Sequence, residues 1–183
     1  MKLVLASKSP RRSEILKNAG FDFTVRVADA DETIPDGTKP EDAVVFLAAR
    51  KAMAVERAED ETVLGADTIV VLDGKILGKP KNKDDAFDIL KSLSGRVHSV
   101  FTGVCIIEKD RSMTFAEETQ VEFLSLTDDE INTYIDTNEP YDKAGAYGIQ
   151  GIASKFVRRI NGDYFNVVGL PISTIYEKFF KNQ

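Results

Sequence analysis

Strand, polar loop and helix follow one another between Leu3 and Gly20, and that order constrains the fold more than any other feature of the chain. Leu3-Val4-Leu5-Ala6 is a short apolar run bounded by polar residues and reads as a buried strand. Ser9-Pro10 reads as N-cap and first helical position, with Ile15, Leu16 and Ala19 inward and Gly20 as the stop. The alternation returns at the other end. Lys155 to Ile160 reads as a strand, and a helix after Leu170-Pro171 carries Ile172, Ile175, Tyr176 and Phe179 inward. Between these ends, Phe21 to Val27 reads as a strand and Asp29 to Gly37 as an acidic loop. Thr38-Lys39-Pro40-Glu41 is a capping box predicting a helix to about Ala58. Thr62 to Leu72 is a strand, with Asp73-Gly74 a hairpin turn into Lys75-Ile76-Leu77. Asn82 to Leu93 is a helix stopped by Gly95. Val97 to Glu108 and Met113 to Leu124 are long antiparallel strands joined through Lys109-Asp110-Arg111, and Thr127-Asp128-Asp129-Glu130 is a second capping box. Helices and strands alternating around a hairpin region predict an α/β protein: a mixed twisted sheet with flanking helices, in two lobes around a cleft.

Counts exclude several chemistries. Cys105 is the one cysteine and His98 the one histidine. Intrachain disulfides, paired-cysteine zinc sites and HExxH centres are therefore absent, and any metal sits mainly on carboxylates, which points to Mg²⁺ or Mn²⁺. Both residues lie in apolar strands and read as core. The net charge of −6 argues against a protein that coats nucleic acid through its overall charge. No run approaches a membrane span or a signal-peptide core, so a cytoplasmic protein is expected.

Five segments and one helix lysine carry candidate chemistry. Ser7-Lys8-Ser9-Pro10-Arg11-Arg12 joins a buried strand to a helix N-terminus, where free N–H groups and the dipole favour an anion. Two arginines in a first turn oppose that dipole unless an anion binds; the bland alternative is a capped surface helix. Gly65-Ala66-Asp67-Thr68 puts a carboxylate in the middle of an apolar strand, costly unless it is paired or metal-bound. The alternative is a bulge at Gly65 that turns Asp67 to solvent. Asp29, Asp31 and Glu32 form an acidic loop that could add oxygen ligands. Lys51 lies on the apolar stripe of its helix, either snorkelling or pointed into a site. Gly78-Lys79-Pro80 is a tight turn, and Lys143 to Gly151 is a glycine-rich loop open to close approach by a ligand, with Gln150 offering donor and acceptor.

Taken in order, these motifs together with Ala49-Arg50-Lys51-Ala52 and Asn166-Val167-Val168-Gly169-Leu170-Pro171 resemble the Maf family of nucleotide pyrophosphatases, the septum-formation-protein family. Each motif is short, but the ordered set is specific and covers nearly the whole chain. The resemblance implies a single domain over residues 1–183, with a fold related to inosine-triphosphate pyrophosphatases. It implies a nucleoside triphosphate diphosphatase that splits dTTP and UTP into monophosphate and pyrophosphate with a divalent metal. Nucleotide house-cleaning, modified pyrimidines included, a link to septum formation and a homodimer are further implications, with no stable nucleic-acid or membrane partner. The alternative is a nucleotide-binding regulator of division without turnover. Carried over by resemblance, Asp67 is the catalytic acid/base residue, as base, metal ligand or both. Arg12, Thr68 and Gln150 are specificity positions. Ser7, Arg11, Glu32, Lys51 and Lys79 line the phosphate and metal site, with metal on Glu32 and Asp67.

Overall fold

The computed structural model describes residues 2–109 and 111–181. Strands β1 (Lys2–Leu5), β2 (Phe23–Val25), β3 (Glu61–Leu72), β4 (Lys75–Leu77), β5 (Val97–Ile107), β6 (Ser112–Phe123) and β7 (Val157–Asn161) form one sheet. Their order is β2-β1-β3-β5-β6-β7, with β4 paired to β3. β1 is parallel to β2 and to β3, with Leu5 opposite Val25 and Leu64. Such pairs need crossovers, supplied by α1 (Pro10–Asn18) and α2 (Pro40–Met53). β4 and β7 pair antiparallel, so the sheet is mixed as expected. Asp110, part of the Lys109-Asp110-Arg111 connection expected from sequence, lies outside the described residues.

The chain divides into two compact units, the two expected lobes. The first comprises residues up to Thr68, Thr102–Glu117, and those from Phe165 onward. Here α2 lies on one face of the sheet. Ala48, Ala52 and Val55 pack in a buried cluster with Val4, Ala6, Val63 and Cys105. Two glycines admit the helix. A Cβ on Gly65 would stand 2.4 Å from the Ala48 carbonyl oxygen, and one on Gly103 would stand 2.2 Å from that of Val44. β3 runs unbroken through Gly65. The glycine therefore serves helix–sheet approach, and Asp67 beyond it is not turned to solvent. α5 (Tyr164–Val168) and α6 (Ile172–Ile175) follow, and α6 continues as a π-helical turn, Tyr176–Phe180. Ile175 and Phe179 are buried, but Tyr176, expected inward, is exposed.

The second unit comprises Ile69–Phe101 and Glu118–Tyr164. Its hairpin turns at Asp73-Gly74, both with positive φ (50° and 75°), as a type I′ turn requires. α3 (Lys83–Leu93) is capped by Asn82, and α4 (Asp128–Ile135) opens with the full Thr127–Glu130 capping box. The other predicted box fails. Thr38 donates its hydroxyl back to the Pro35 carbonyl, Lys39 takes the N-cap position without a side-chain bond, and the helix stops at Met53. Tyr147 and Phe123 pack edge-on to each other and to His98, and Phe156 packs edge-on to Tyr134. His98 is buried, and desolvation pulls its pKa down to about 4. Burial pushes the Cys105 thiol, in the first unit, up to about 11, so both residues are core groups.

Candidate active site

Alternation along β3 separates neighbours in sequence. Gly65 and Asp67 face α2; Thr68 faces the other way. The close approach at Gly65 brings Lys51, beside Ala52 on α2, onto the Asp67 carboxylate. The same ammonium lies 2.9 Å from Glu32. One cation thus bridges both carboxylates proposed from sequence as metal ligands, with Lys51 only 20% and Asp67 13% exposed at the side chain. Lys51 points at a polar site rather than snorkelling. Its neighbour Arg50 fixes the acidic loop, with an ion pair to Asp31 at 2.8 Å and a bond to the Asp31 carbonyl at 2.8 Å. Asp31 in turn accepts from the Thr33 N–H, and these bonds hold its carboxyl below the usual range. Among the described residues no three His, Cys, Asp or Glu side chains converge as a preformed metal cage. Two carboxylates on one spot do suit Mg²⁺, which is commonly held by one or two carboxylates plus substrate phosphates.

On the other side of β3, Arg12 is buried, not the exposed helix-entry residue its position in α1 suggests. Its Nε donates to the Gly169 carbonyl at 2.7 Å, one terminal nitrogen to Ser7 Oγ at 3.1 Å, and the other to Thr68 Oγ1 at 3.0 Å. Burial lowers the guanidinium's pKa, with Asp67 and Glu32 opposing the shift; an arginine stays charged nonetheless. Two acceptor side chains and a carbonyl therefore stabilise a cation that local sequence places against the helix dipole. The structure brings Ser7, Arg12 and Thr68 together. It also adds Thr102, unmarked in the sequence, whose hydroxyl lies 2.9 Å from Thr68 Oγ1 and donates to the Asn166 carbonyl at 2.9 Å. Arg11 beside it is half-buried.

Lys79 and Gln150 are exposed and belong to the second unit. Their loops are tied to each other: the Gly145 N–H donates to the Gly78 carbonyl at 3.1 Å. Glu139, a residue with no motif around it that sequence reading would mark, anchors the segment carrying Gln150. Its carboxylate accepts from the N–H groups of Ile152 (2.7 Å) and Ala153 (3.2 Å) and from the Tyr134 hydroxyl (3.1 Å). A Cβ on Gly151 would stand 2.3 Å from that carboxylate, and one on Gly148 would stand 2.8 Å from the Lys143 side chain. The room these glycines leave is filled by the protein itself rather than held open for a ligand.

Comparison with known proteins agrees with the ordered motifs. Residues 2–181 match the family model described as Maf-like protein. A Bacillus anthracis protein named dTTP/UTP pyrophosphatase is 53% identical over 175 residues, covering 95% of this chain and 92% of the relative. A Bacillus cereus protein of the same name is 52% identical over the same shares. Among solved structures, the Ham1 protein of Staphylococcus aureus aligns with a TM-score of 0.48 at 19% identity, over 67% of this chain and 72% of that one.

Proposed function

The chain belongs to the Maf family, and from that premise we propose that it is a nucleoside triphosphate pyrophosphatase acting on dTTP and UTP as one functional domain. Water attacks the α-phosphorus, the bond from that phosphorus to the α,β-bridging oxygen breaks, and pyrophosphate leaves with the bridging oxygen. The observation that carries the reading is Lys51 held between Asp67 and Glu32. A lysine and a carboxylate largely buried together in an otherwise apolar strand–helix contact are costly to assemble, and with the exposed loop carboxylate of Glu32 beside them they suit a reacting phosphate. Asp67 orients the attacking water and takes its proton. Lys51 fixes the Asp67 carboxylate and lies ready for phosphate oxygens. A divalent cation on Glu32 and Asp67 would supply neutralisation of phosphate charge.

Ser7 supports phosphate binding by its proton. It accepts from Arg12 and from the Ser9 N–H, so both bonds use its lone pairs and leave its hydrogen to donate. Arg12 serves the site through Ser7 and Thr68. Arg11 and Lys79 are assigned to phosphate, and Gln150 to the base, from the family resemblance. The reading extends to a cytoplasmic house-cleaning role; no helix among the described residues is long and apolar enough to cross a membrane.

The test is product identification across the common ribo- and deoxyribonucleoside triphosphates with Mg²⁺, with Asp67→Asn alongside. Monophosphate plus pyrophosphate from dTTP and UTP, lost in a folded Asp67→Asn protein, is expected. Binding without product would favour a division regulator. Full activity of Asp67→Asn would refute the catalytic assignment.

A further inference from the structure

The hydroxyls beside Arg12 form a chain with only one direction. A guanidinium donates and cannot accept, so the bond from Arg12 ends on a Thr68 lone pair. A carbonyl accepts and cannot donate, so the Asn166 oxygen takes the single Thr102 proton. The 2.9 Å contact between the two threonines then needs a proton, and only Thr68 has one left. Polarity runs Arg12 to Thr68 to Thr102 to the Asn166 carbonyl. Thr102 is fully buried and cannot exchange this arrangement for water, whereas Thr68 is only half-buried. Thr68 therefore keeps one lone pair for a ligand and has no hydrogen to offer. Ser7, on the other arm of the same arginine, has the opposite polarity, with two bonds accepted and its proton unspent.

We infer that Thr102 is a positioning residue that makes Thr68 an acceptor-only group, and that Thr68 reads the N3–H of a uracil or thymine ring. This rests on the nucleotide reading above. It supplies a ground for base choice that does not depend on how Gln150 is turned. Uracil and thymine present a donor at N3, while cytosine presents a lone pair, which meets a lone pair on Thr68. Replacing Thr102 by valine keeps the shape and removes the acceptor. The Thr68 proton is then free to turn toward cytosine N3, while a turned hydroxyl still accepts from uracil N3–H.

The test is calorimetric binding of the uncleavable α,β-imido analogues of dUTP and dCTP. The wild type is expected to favour the uracil analogue, and a mispaired polar contact of this kind is worth about tenfold or more. Thr102→Val should shrink the uracil-to-cytosine ratio by about tenfold, chiefly through tighter cytosine binding, and Thr102→Ser should restore it. An unchanged ratio in a folded Thr102→Val protein overturns the assignment. So does undiminished wild-type binding of an N3-methyl uracil analogue, a measurement that needs no variant. Loss of binding to a 3′-deoxy analogue with the N3-methyl analogue unaffected would transfer the contact to the sugar hydroxyl and also overturn it. If neither parent analogue binds the wild type, the nucleotide reading itself has failed.

Discussion

Gly65→Ala tests the contact on which the Lys51–Asp67 pair depends. The new methyl would lie 2.4 Å from the Ala48 carbonyl oxygen and 2.9 Å from both the Ala52 nitrogen and the Ala52 Cβ. Ordinary carbon contacts are about 3.5 Å, so the deficit is about 1 Å at the carbonyl. No flexible side-chain end can give way, because the obstacles are α2 backbone and a Cβ. The helix must back off the sheet, loosening Ala48, Ala52 and Val55 from Val4, Val63 and Cys105. Overpacking typically costs about 1–3 kcal/mol, and a backbone obstacle places this case at about 3. For a chain of this length that lowers Tm by about 6–12 °C. Lys51 rides on the same helix, and a catalytic group displaced by about 1 Å can lose about a hundredfold in rate. Urea unfolding and turnover, measured where the variant is fully folded, should both fall. Gly78→Ala is the stability control, since its Cβ would meet nothing within 4 Å, and should stay within about 0.5 kcal/mol. A Gly65→Ala protein equal to that control in stability and to the wild type in turnover would refute the reasoning.

Arg12→Ala removes the donor from the Gly169 carbonyl and from two hydroxyls in a buried setting, so it should destabilise by about 3 kcal/mol. Arg12→Lys should recover less than half, because one ammonium cannot reach three acceptors in the directions a planar fork does; a urea midpoint unmoved by Arg12→Ala would refute the buried hub. His98 has its pKa lowered from 6.5 to about 4 in the folded state, so between those values the unfolded chain binds a proton that the folded one refuses. Stability should fall as pH drops through that window, by up to about 3 kcal/mol, and His98→Gln should flatten the slope of Tm against pH there. An identical slope in both proteins would show that other groups titrate in its place.

Local chemistry was legible wherever a few adjacent residues decide it. Ser9-Pro10 starts α1, Asn82 caps α3, Thr127 and Glu130 cap α4, and Asp73-Gly74 turns the hairpin. Failures came where a distant partner outbids the neighbours. Thr38 is the exception: it fits the capping pattern, yet Lys39 takes the N-cap position while the Thr38 hydroxyl donates to Pro35, three residues back. Arg12 looks like a solvated first-turn cation until the Gly169 carbonyl, 157 residues on, closes over it. Thr102 reads as an ordinary strand residue and Glu139 as a loop acid before a proline, because nothing local shows whose hydrogen bonds they complete.

Asp67 was the strongest signal because its cost is local: a carboxylate among valines and leucines demands a partner wherever the chain goes. The partner's identity was visible only as a type, a lysine on an apolar stripe, and Gly65 as the means of bringing them together was invisible. Adjacency in sequence also concealed a division of labour. Asp67 and Thr68 are consecutive, but a strand sends them to opposite faces, one to the Lys51–Glu32 charges and one to the Arg12 hydroxyl chain. One β-strand therefore holds an ion-paired carboxylate on one face and a polarised hydroxyl on the other. The faces are not electrostatically isolated: burial lowers the Arg12 pKa, and Asp67 and Glu32 oppose that shift across the strand.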